Sequence, residues 1–391
     1  MRGQTKHYYW NKLAELHAHT RSMISFSEGR DTYDEASIPF DPVMIMALHE
    51  AVKCKSPPEA VPLVQKILAQ NFELMGMSIQ MLHEVEEFVL NSFDLPELKI
   101  EYGVGVYPLG EVNAVCSELS ENESYFLLID PGMFDMIEIV AKTAMMLSSD
   151  RNQYTLDQVC SFFYEYFLDT LDERVTAFPS FLAGAPDPVK LVADDALVNQ
   201  FSVVARRALD FCLYHEWGHI WSKHLPMDHP VSYMKHYRDG EAEMAESNDS
   251  VNWANELWAD RIACVALAAQ LRDMETAERN AYLEVTLAGI ALFLSFNAFL
   301  EHYYGDDQTE LIETEYGVIY SVHPIRKHPP SFMRLGYVMD YFGASFDLDE
   351  HLVDLTGYYM AMFTKAWRRA EEIPAGTRAQ HWAELAKSSS K

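Results

Sequence analysis

Two histidines and a glutamate lie close together near the middle of the chain, in the sequence His-Glu-Trp-Gly-His at 215–219. On a helix, residues four apart share one face, so His215 and His219 can bind one metal ion. Glu216 lies at the edge of that face, where its carboxylate can polarise a water molecule on the metal. The pattern therefore predicts a catalytic Zn²⁺ site. The alternative is a pair of ordinary, partly buried histidines.

A third ligand is needed, because open catalytic zinc sites use three protein side chains and leave the fourth position to water. Glu256 and Asp260 again lie four residues apart, in a segment rich in alanine and apolar residues. We expect Glu256 to complete the ligand set and Asp260 to accept the outer N–H of a ligand histidine. The alternative third ligands are acidic residues nearer to the first motif, namely Glu241, Glu243 and Glu246.

Both segments have the pattern of helices. Residues 202–224 contain no proline, and their apolar side chains fall close to one stripe that includes the motif histidines. Gly218 in mid-helix costs about 1 kcal/mol relative to alanine, which suggests that another backbone or a ligand approaches closely there. Residues 253–270 predict a second helix without a breaker, and three alanines on one of its faces would let it pack tightly against the first.

The remainder of the chain predicts an α+β protein that is mainly helical, with a small sheet. Residues 1–95 predict an N-terminal helical region, and residues 96–345 the domain that carries the metal motif. Residues 346–391 predict a C-terminal helix followed by a loosely held tail from Pro374 onwards. The sequence thus predicts three consecutive parts, with the chemistry in the second.

Three segments carry more specific expectations. Within the predicted sheet, SYFLLID at 124–130 is either an edge strand that pairs with an extended substrate or an interior strand. The uncharged run Val285–Leu300 is too short and too polar for a membrane span of about 20 residues, so it predicts a buried core helix. Residues 226–250 are mostly polar and acidic and predict a mobile loop.

Charge and cysteine content limit the partners and the compartment. The formal net charge is −29 and the lysines and arginines are scattered, so no nucleic-acid partner is expected. The five cysteines form no C-x-x-C pair or disulfide framework, and the first residues lack a secretory pattern. We therefore expect a cytoplasmic protein without a membrane partner.

With both segments in place, the sequence resembles the gluzincin metallopeptidases, whose pattern is H-E-x-x-H followed by E-x-x-A-D. The chain has HEWGH at 215–219 and ELWAD at 256–260. A third element, His-Pro-Pro-Ser-Phe-Met-Arg at 328–334, is similar to one found in the group of CAAX prenyl endopeptidases and HtpX. This chain lacks the clear spanning helices of that group. Soluble proteases of the ImmA/IrrE and Lit types have a similar zinc geometry.

The resemblance covers roughly residues 120–345. It implies that the domain at 96–345 is a zincin-like metallopeptidase domain and that the chain is a zinc-dependent endopeptidase acting on a protein or peptide, with regulatory or defence roles open to it. The zinc ligands that it implies are His215, His219 and Glu256. Glu216 corresponds to the general base, which takes a proton from the attacking water and passes it to the leaving amine. Asp260 corresponds to the acceptor that supports a ligand histidine.

His328 and Arg334 begin and end the third element. The proline after His328 holds this residue extended, and two roles stay open for it. It can donate a hydrogen bond to the oxyanion that forms during catalysis, or it can support the loop as a structural histidine. Arg334 is expected to pair with a buried carboxylate.

Two other functions are compatible with the sequence. Residues 226–250 lie between the ligand segments and would be able to cover the cleft, which would make the chain a latent protease or binding module gated by a regulatory protein partner. Alternatively, His17 and His19 form an H-x-H pair that resembles the first metal-binding strand of adenosine deaminase-like amidohydrolases. Those enzymes require a barrel of alternating strands and helices, and no such alternation follows here.

Overall fold

Helices account for most of the described chain, which confirms the mainly helical fold expected from the sequence. The computed structural model describes residues 80–95, 101–106, 114–120, 124–129, 131–148, 155–172, 195–225, 248–272, 274–304, 310–313, 319–322, 329, 331–346, 348 and 350–389. His17 and His19 lie outside these residues, as does most of the acidic segment.

The described helices are, in chain order, α1 at 80–92, α2 at Pro131–Ser148, α3 at Leu156–Asp172, α4 at Asp195–Ser222, α5 at Asn248–Leu271, α6 at Thr276–Tyr304, α7 at Ser331–Phe346, α8 at Glu350–Glu372 and α9 at Ala375–Ser389. HEWGH lies in α4 and ELWAD in α5, so both predicted helices are present. The last residues of the segment 226–250, Asn-Asp-Ser, belong to α5 and not to a loop. Their side chains favour helix starts, because each can accept hydrogen bonds from free backbone amides.

The described strands include a mixed sheet built from β1 at Glu101–Val106, β2 at Ala114–Ser120 and β3 at Ser124–Ile129. β3 lies in the centre, parallel to β1 and antiparallel to β2. SYFLLID is therefore an interior strand, and its interpretation as an edge strand is wrong. Two further strands, β4 at Glu310–Glu313 and β5 at Ile319–Val322, pair with each other in antiparallel orientation.

One face of the sheet packs against the helices. Tyr125, Leu127 and Ile129 alternate along β3 and are all buried, as the two-residue period of a half-buried strand requires. Lys223, directly after α4, has its Nζ 3.4 Å from the Tyr125 hydroxyl and 4.8 Å from the centre of that ring. These contacts hold the sheet next to the end of the helix that carries the metal motif.

The apolar helix α6 runs through the core. Within it, Thr276–Leu300 is the described stretch that is long and apolar enough to cross a membrane, with a hydropathy of 1.8 over its most apolar window. However, 78% of that window is buried inside the molecule. Helix and burial both agree with the core helix expected for Val285–Leu300.

Two glycines let α4 approach its neighbours at backbone distance. A Cβ atom added at Gly218 would lie 2.8 Å from both the Cα and the carbonyl oxygen of Ala259 in α5. A Cβ atom added at Gly289 of α6 would lie 2.8 Å from backbone atoms of Val204 and Ala208 in α4. Both distances are shorter than real Cβ contacts, so the close approach suggested by Gly218 in the sequence is confirmed.

The C-terminal residues do not form the loose tail expected after Pro374. Helix α9 begins directly after this proline, whose fixed φ angle suits the start of a helix. Arg378 Nε donates to Glu165 of α3 at 2.6 Å, and the His381 ring lies 2.9 Å from the hydroxyl of Ser161, also in α3. The partners lie 213 and 220 residues earlier in the chain, so no local pattern could show that this helix docks.

Helix α1 shares the main hydrophobic core with the later helices. Its residues Leu82, Val85 and Val89 are buried in the same cluster as side chains of α4, α5 and α6. Phe93 meets Trp258 of α5 edge to face, with ring centroids 5.7 Å apart. The boundaries at residues 95 and 345 stay predictions, and Phe93, directly after α1, contacts the helix that carries ELWAD.

Candidate metal centre

The predicted ligands face one another between α4 and α5. The two helices run antiparallel: Gly218 contacts Ala259, whereas Arg207, earlier in α4, contacts Gln270, later in α5. Because the glycine lies between the motif histidines, the closest approach of the two backbones coincides with the predicted site.

The carboxylate of Glu256 bridges the two histidines. His215 Nε2 lies 3.3 Å from Glu256 Oε2, and His219 Nε2 lies 3.5 Å from Glu256 Oε1. The imidazole rings stand almost perpendicular, with an interplanar angle of 82° and centroids 4.7 Å apart. Two ring nitrogens and one carboxylate therefore converge from two helices.

Asp260 holds the other side of the His215 ring. Its Oδ1 atom lies 2.8 Å from His215 Nδ1, and its side chain is fully buried. Asp260 can only accept at this contact, so Nδ1 carries a proton and Nε2 is the atom directed to Glu256. The carboxylate thus fixes both the orientation and the tautomer of the histidine, which is the usual role of an acidic partner behind a metal ligand.

Arg334 of α7 binds both oxygens of Asp260. Its Nε donates to Oδ2 at 2.8 Å and its Nη2 donates to Oδ1 at 2.7 Å. Nη2 also lies 3.3 Å from His215 Nδ1, but both atoms carry protons and share the same acceptor. The expected pairing of Arg334 with a buried carboxylate is confirmed.

Glu216 is buried beside the ligands, and a residue of the sheet binds its carboxylate. The backbone N–H of Cys116, in β2, donates to its carboxylate. Among the described residues, His215, Glu216 and His219 also each offer a potential ligand atom within 4.8 Å of the other two. Glu216 is therefore close enough to act on a molecule bound at the site, while Glu256 makes the contacts with both imidazoles.

The two histidines have opposite pKa shifts. Burial and the Arg334 guanidinium lower the pKa of His215, but the bonds to Asp260 and Glu256 outweigh them and raise it to about 9. Desolvation and the neighbouring His215 lower the pKa of His219 to about 4. A neutral imidazole is the form that binds a metal, so His219 is ready as a ligand. At His215 a cation would replace the proton on Nε2.

The pKa values of the two acidic residues beside the ligands also shift in opposite directions. Burial raises the pKa of Glu216 to about 7, against the attraction of His215. Burial acts in the same direction on Asp260, but the charge of Arg334 and the bond from His215 hold the pKa of Asp260 below its usual range. Asp260 is therefore a fixed anion, whereas the Glu216 carboxyl is able to exchange a proton near neutral pH.

The side chains fit a zinc ion. Two imidazoles and one carboxylate form a common catalytic ligand set that leaves one position open. A tetrahedral ion with bonds of about 2.0–2.2 Å separates its ligand atoms by about 3.3–3.6 Å. Each His Nε2 lies at such a separation from one oxygen of Glu256, His215 at 3.3 Å from Oε2 and His219 at 3.5 Å from Oε1.

The structure brings together the five residues around which the site was predicted, His215, Glu216, His219, Glu256 and Asp260. His328 lies outside the described residues, as do the alternative ligands Glu241, Glu243 and Glu246. The contact from Cys116 was not expected, because a backbone amide carries no sequence signal. Only the position of β2 relative to α4 reveals it.

Comparisons of the chain with protein-family models, with curated proteins and with solved structures gave no match.

Proposed function

We propose that this protein is a zinc-dependent endopeptidase of the gluzincin type, with His215, His219 and Glu256 as the zinc ligands. The observation that carries the proposal is the bridge of Glu256 across both histidine Nε2 atoms, at 3.3 and 3.5 Å. Two motifs separated along the chain meet at one point with the donor types that zinc prefers. A surface cluster of acids and histidines would not need the buried Asp260 and Arg334 behind it.

Zinc bound at such a site acts as a Lewis acid and lowers the pKa of a coordinated water towards neutrality. Glu216 accepts one proton from the water that adds to the scissile carbonyl carbon. It then returns that proton to the amine as the C–N bond breaks, so that the carboxylate is regenerated. The Cys116 amide orients the Glu216 carboxylate in both steps.

The proposal also includes a zincin-like fold and a protein or peptide substrate. The sheet beside α4 and the antiparallel pair α4 and α5 form a zincin-like unit, with the edge of β2 that pairs with no other described strand next to the base. An extended peptide can pair with such an edge through its backbone. We therefore assign substrate pairing to β2, and the substrate is a protein or peptide chain in the cytoplasm.

The proposal is tested by Glu216→Gln, which keeps the size of the side chain but removes the base. We expect one zinc per chain in both proteins and a loss of peptidase turnover of about 10²-fold or more in the variant. Zinc is measured by elemental analysis, and cleavage by mapping new protein N-termini in cells that express either protein. Glu278→Gln, on the exposed first turn of α6, is the matched control.

Two results would contradict the proposal. One is undiminished cleavage by Glu216→Gln. The other is zinc that is retained in the His215→Ala variant but lost in the His17→Ala variant. This result would place the metal at the H-x-H pair and favour an amidohydrolase.

A further inference from the structure

A second polar contact joins α4 and α5 away from the candidate metal centre. Gln270 Nε2 donates to the Tyr214 hydroxyl at 2.7 Å, and Gln270 Oε1 accepts from Arg207 Nη1 at 2.6 Å. Arg207 Nη1 also donates to Asp210 Oδ2 at 3.3 Å, and Asp210 Oδ1 accepts from Arg206 Nε at 2.8 Å. The hydroxyl of Tyr214 lies in the interior, because this side chain is fully buried.

Tyr214 and Gln270 lie in the two helices that carry the site. Tyr214 directly precedes His215 in α4. Gln270 lies fourteen residues after Glu256, close to four whole turns, and therefore on the same face of α5. The bond between Tyr214 and Gln270 thus ties the turn that carries the first histidine to the far end of the helix that carries the glutamate.

Near the site, Gly218 packs on Ala259, His215 contacts Asp260, and both motif histidines contact Glu256. These contacts lie close to the helix crossing, and a contact farther along both helices constrains the crossing angle more strongly, because a small rotation moves distant points furthest. Gln270 lies eleven residues beyond Ala259, about 16 Å along α5. A polar contact at that distance therefore constrains the crossing angle, and with it the spacing of the imidazoles and Glu256.

We propose that Tyr214 and Gln270 are positioning residues, which clamp the crossing of α4 and α5 and thereby set the distances among His215, His219 and Glu256. The consequence for metal binding rests on the zinc site proposed above. The clamp itself is a property of the two helices and can be tested without the metal.

The test uses the full chain with Tyr214→Phe, which removes only the hydroxyl, and Gln270→Leu. We expect the Kd for Zn²⁺ to rise about tenfold or more in each, as for the loss of other groups that orient metal ligands. The double variant should lose no more than Gln270→Leu alone, because that change removes the bond to Tyr214 together with the one from Arg207. The absorption spectrum of bound Co²⁺ should change as well, because it reports the coordination geometry.

Thr364→Val is the matched control. It removes a buried hydroxyl in α8 that donates to the carbonyl of Met360 in its own helix at 2.9 Å. It should lower Tm to an extent similar to Tyr214→Phe while leaving the Kd for Zn²⁺ and the Co²⁺ spectrum unchanged. A Tyr214→Phe protein that loses Tm but binds Zn²⁺ as the wild type does would overturn the positioning role.

Hydrogen exchange in metal-free protein separates this inference from the zinc proposal. Tyr214→Phe should speed exchange of backbone amides around Glu256, four turns along α5 from Gln270, and Thr364→Val should not. If the wild type binds no zinc but Tyr214→Phe still shows this effect, the zinc proposal fails and the clamp stands. If exchange quickens only next to Gln270, the clamp is wrong whatever metal binds.

Discussion

Two arginine–aspartate pairs in this protein have nearly the same geometry and very different surroundings. At the candidate metal centre, Arg334 binds both oxygens of Asp260 at 2.7 and 2.8 Å, with 6% and 0% of the two side chains exposed. In the C-terminal helices, Arg369 binds both oxygens of Asp157 at 2.8 and 3.1 Å, with 42% of each exposed. The first pair supports His215, and the second joins α8 to α3.

The difference shows that burial, rather than bond length, decides what such a pair does. Water can replace either partner at the surface, so an exposed pair contributes little to the free energy of unfolding. In the interior no water replaces a lost partner, and the remaining charge is costly. A buried pair is therefore a poor source of net stability but a strict constraint on position.

The largest expected effect is the difference between removing the buried arginine and removing the exposed one. Arg334→Met leaves Asp260 buried without its guanidinium, and we expect the free energy of unfolding to fall by about 3–5 kcal/mol. Arg369→Met should leave the midpoint of denaturation close to that of the wild type, because both of its acidic partners reach solvent. Urea denaturation of the three proteins measures the contrast.

A double variant sharpens this comparison. Asp260→Asn together with Arg334→Met removes the stranded charge and should recover part of the lost stability, although the zinc affinity stays reduced. Equal midpoints for Arg334→Met and Arg369→Met would show that burial does not separate the two pairs.

A pair of glycines gives the next effect in size. In Gly218→Ala the new Cβ would lie 2.8 Å from backbone atoms of Ala259, which cannot rotate away. We expect the free energy of unfolding to fall by about 1–3 kcal/mol because of overpacking. Gly357→Ala in α8 meets no atom within 4 Å and should instead raise the free energy of unfolding by about 0.4–1 kcal/mol. Opposite signs in thermal denaturation support the tight crossing, whereas a stabilising Gly218→Ala would exclude it.

The smallest effect concerns the exposed pair and pH. The hydrogen bond from Arg369 lowers the pKa of Asp157 from its ordinary 3.8, against slight burial. The pair therefore contributes fully above that pH, and its contribution is lost as the pH falls through the lowered value. We expect a small difference in Tm between wild type and Asp157→Asn at neutral pH that disappears in acid. A difference that grows towards acid pH would contradict this sign.

The sequence indicated those parts of the site that belong to short motifs on helices. HEWGH and ELWAD each place their polar residues four apart, so a helical period alone predicts that they share a face. Arg334 was expected to find a carboxylate because it ends a third motif. The meeting of the HEWGH and ELWAD side chains could therefore be predicted from two helices that pack together, without further knowledge of the tertiary structure.

Contacts between distant and unremarkable residues were not predicted. Gln270 and Tyr214 belong to no motif, and the amide of Cys116 has no side-chain signature at all. SYFLLID is apolar enough for either an edge or a central strand, and only pairing with both neighbours decides between them. The polar sequence of α9 resembles a loose tail until Arg378 and His381 are seen to meet α3.

The close packing of α4 has a consequence for discrimination among metal ions. This helix is pinned at two heights, by Ala259 against Gly218 and by Gly289 against Val204 and Ala208. Contacts at both points resist an outward movement of α4 that would widen its spacing from α5. If the proposed site binds a metal ion, Ca²⁺, which needs bonds of about 2.3–2.6 Å and six or more oxygen atoms, would be disfavoured by size and by ligand number. Small ions that accept nitrogen ligands would remain, and among these the choice would depend on their supply in the cell.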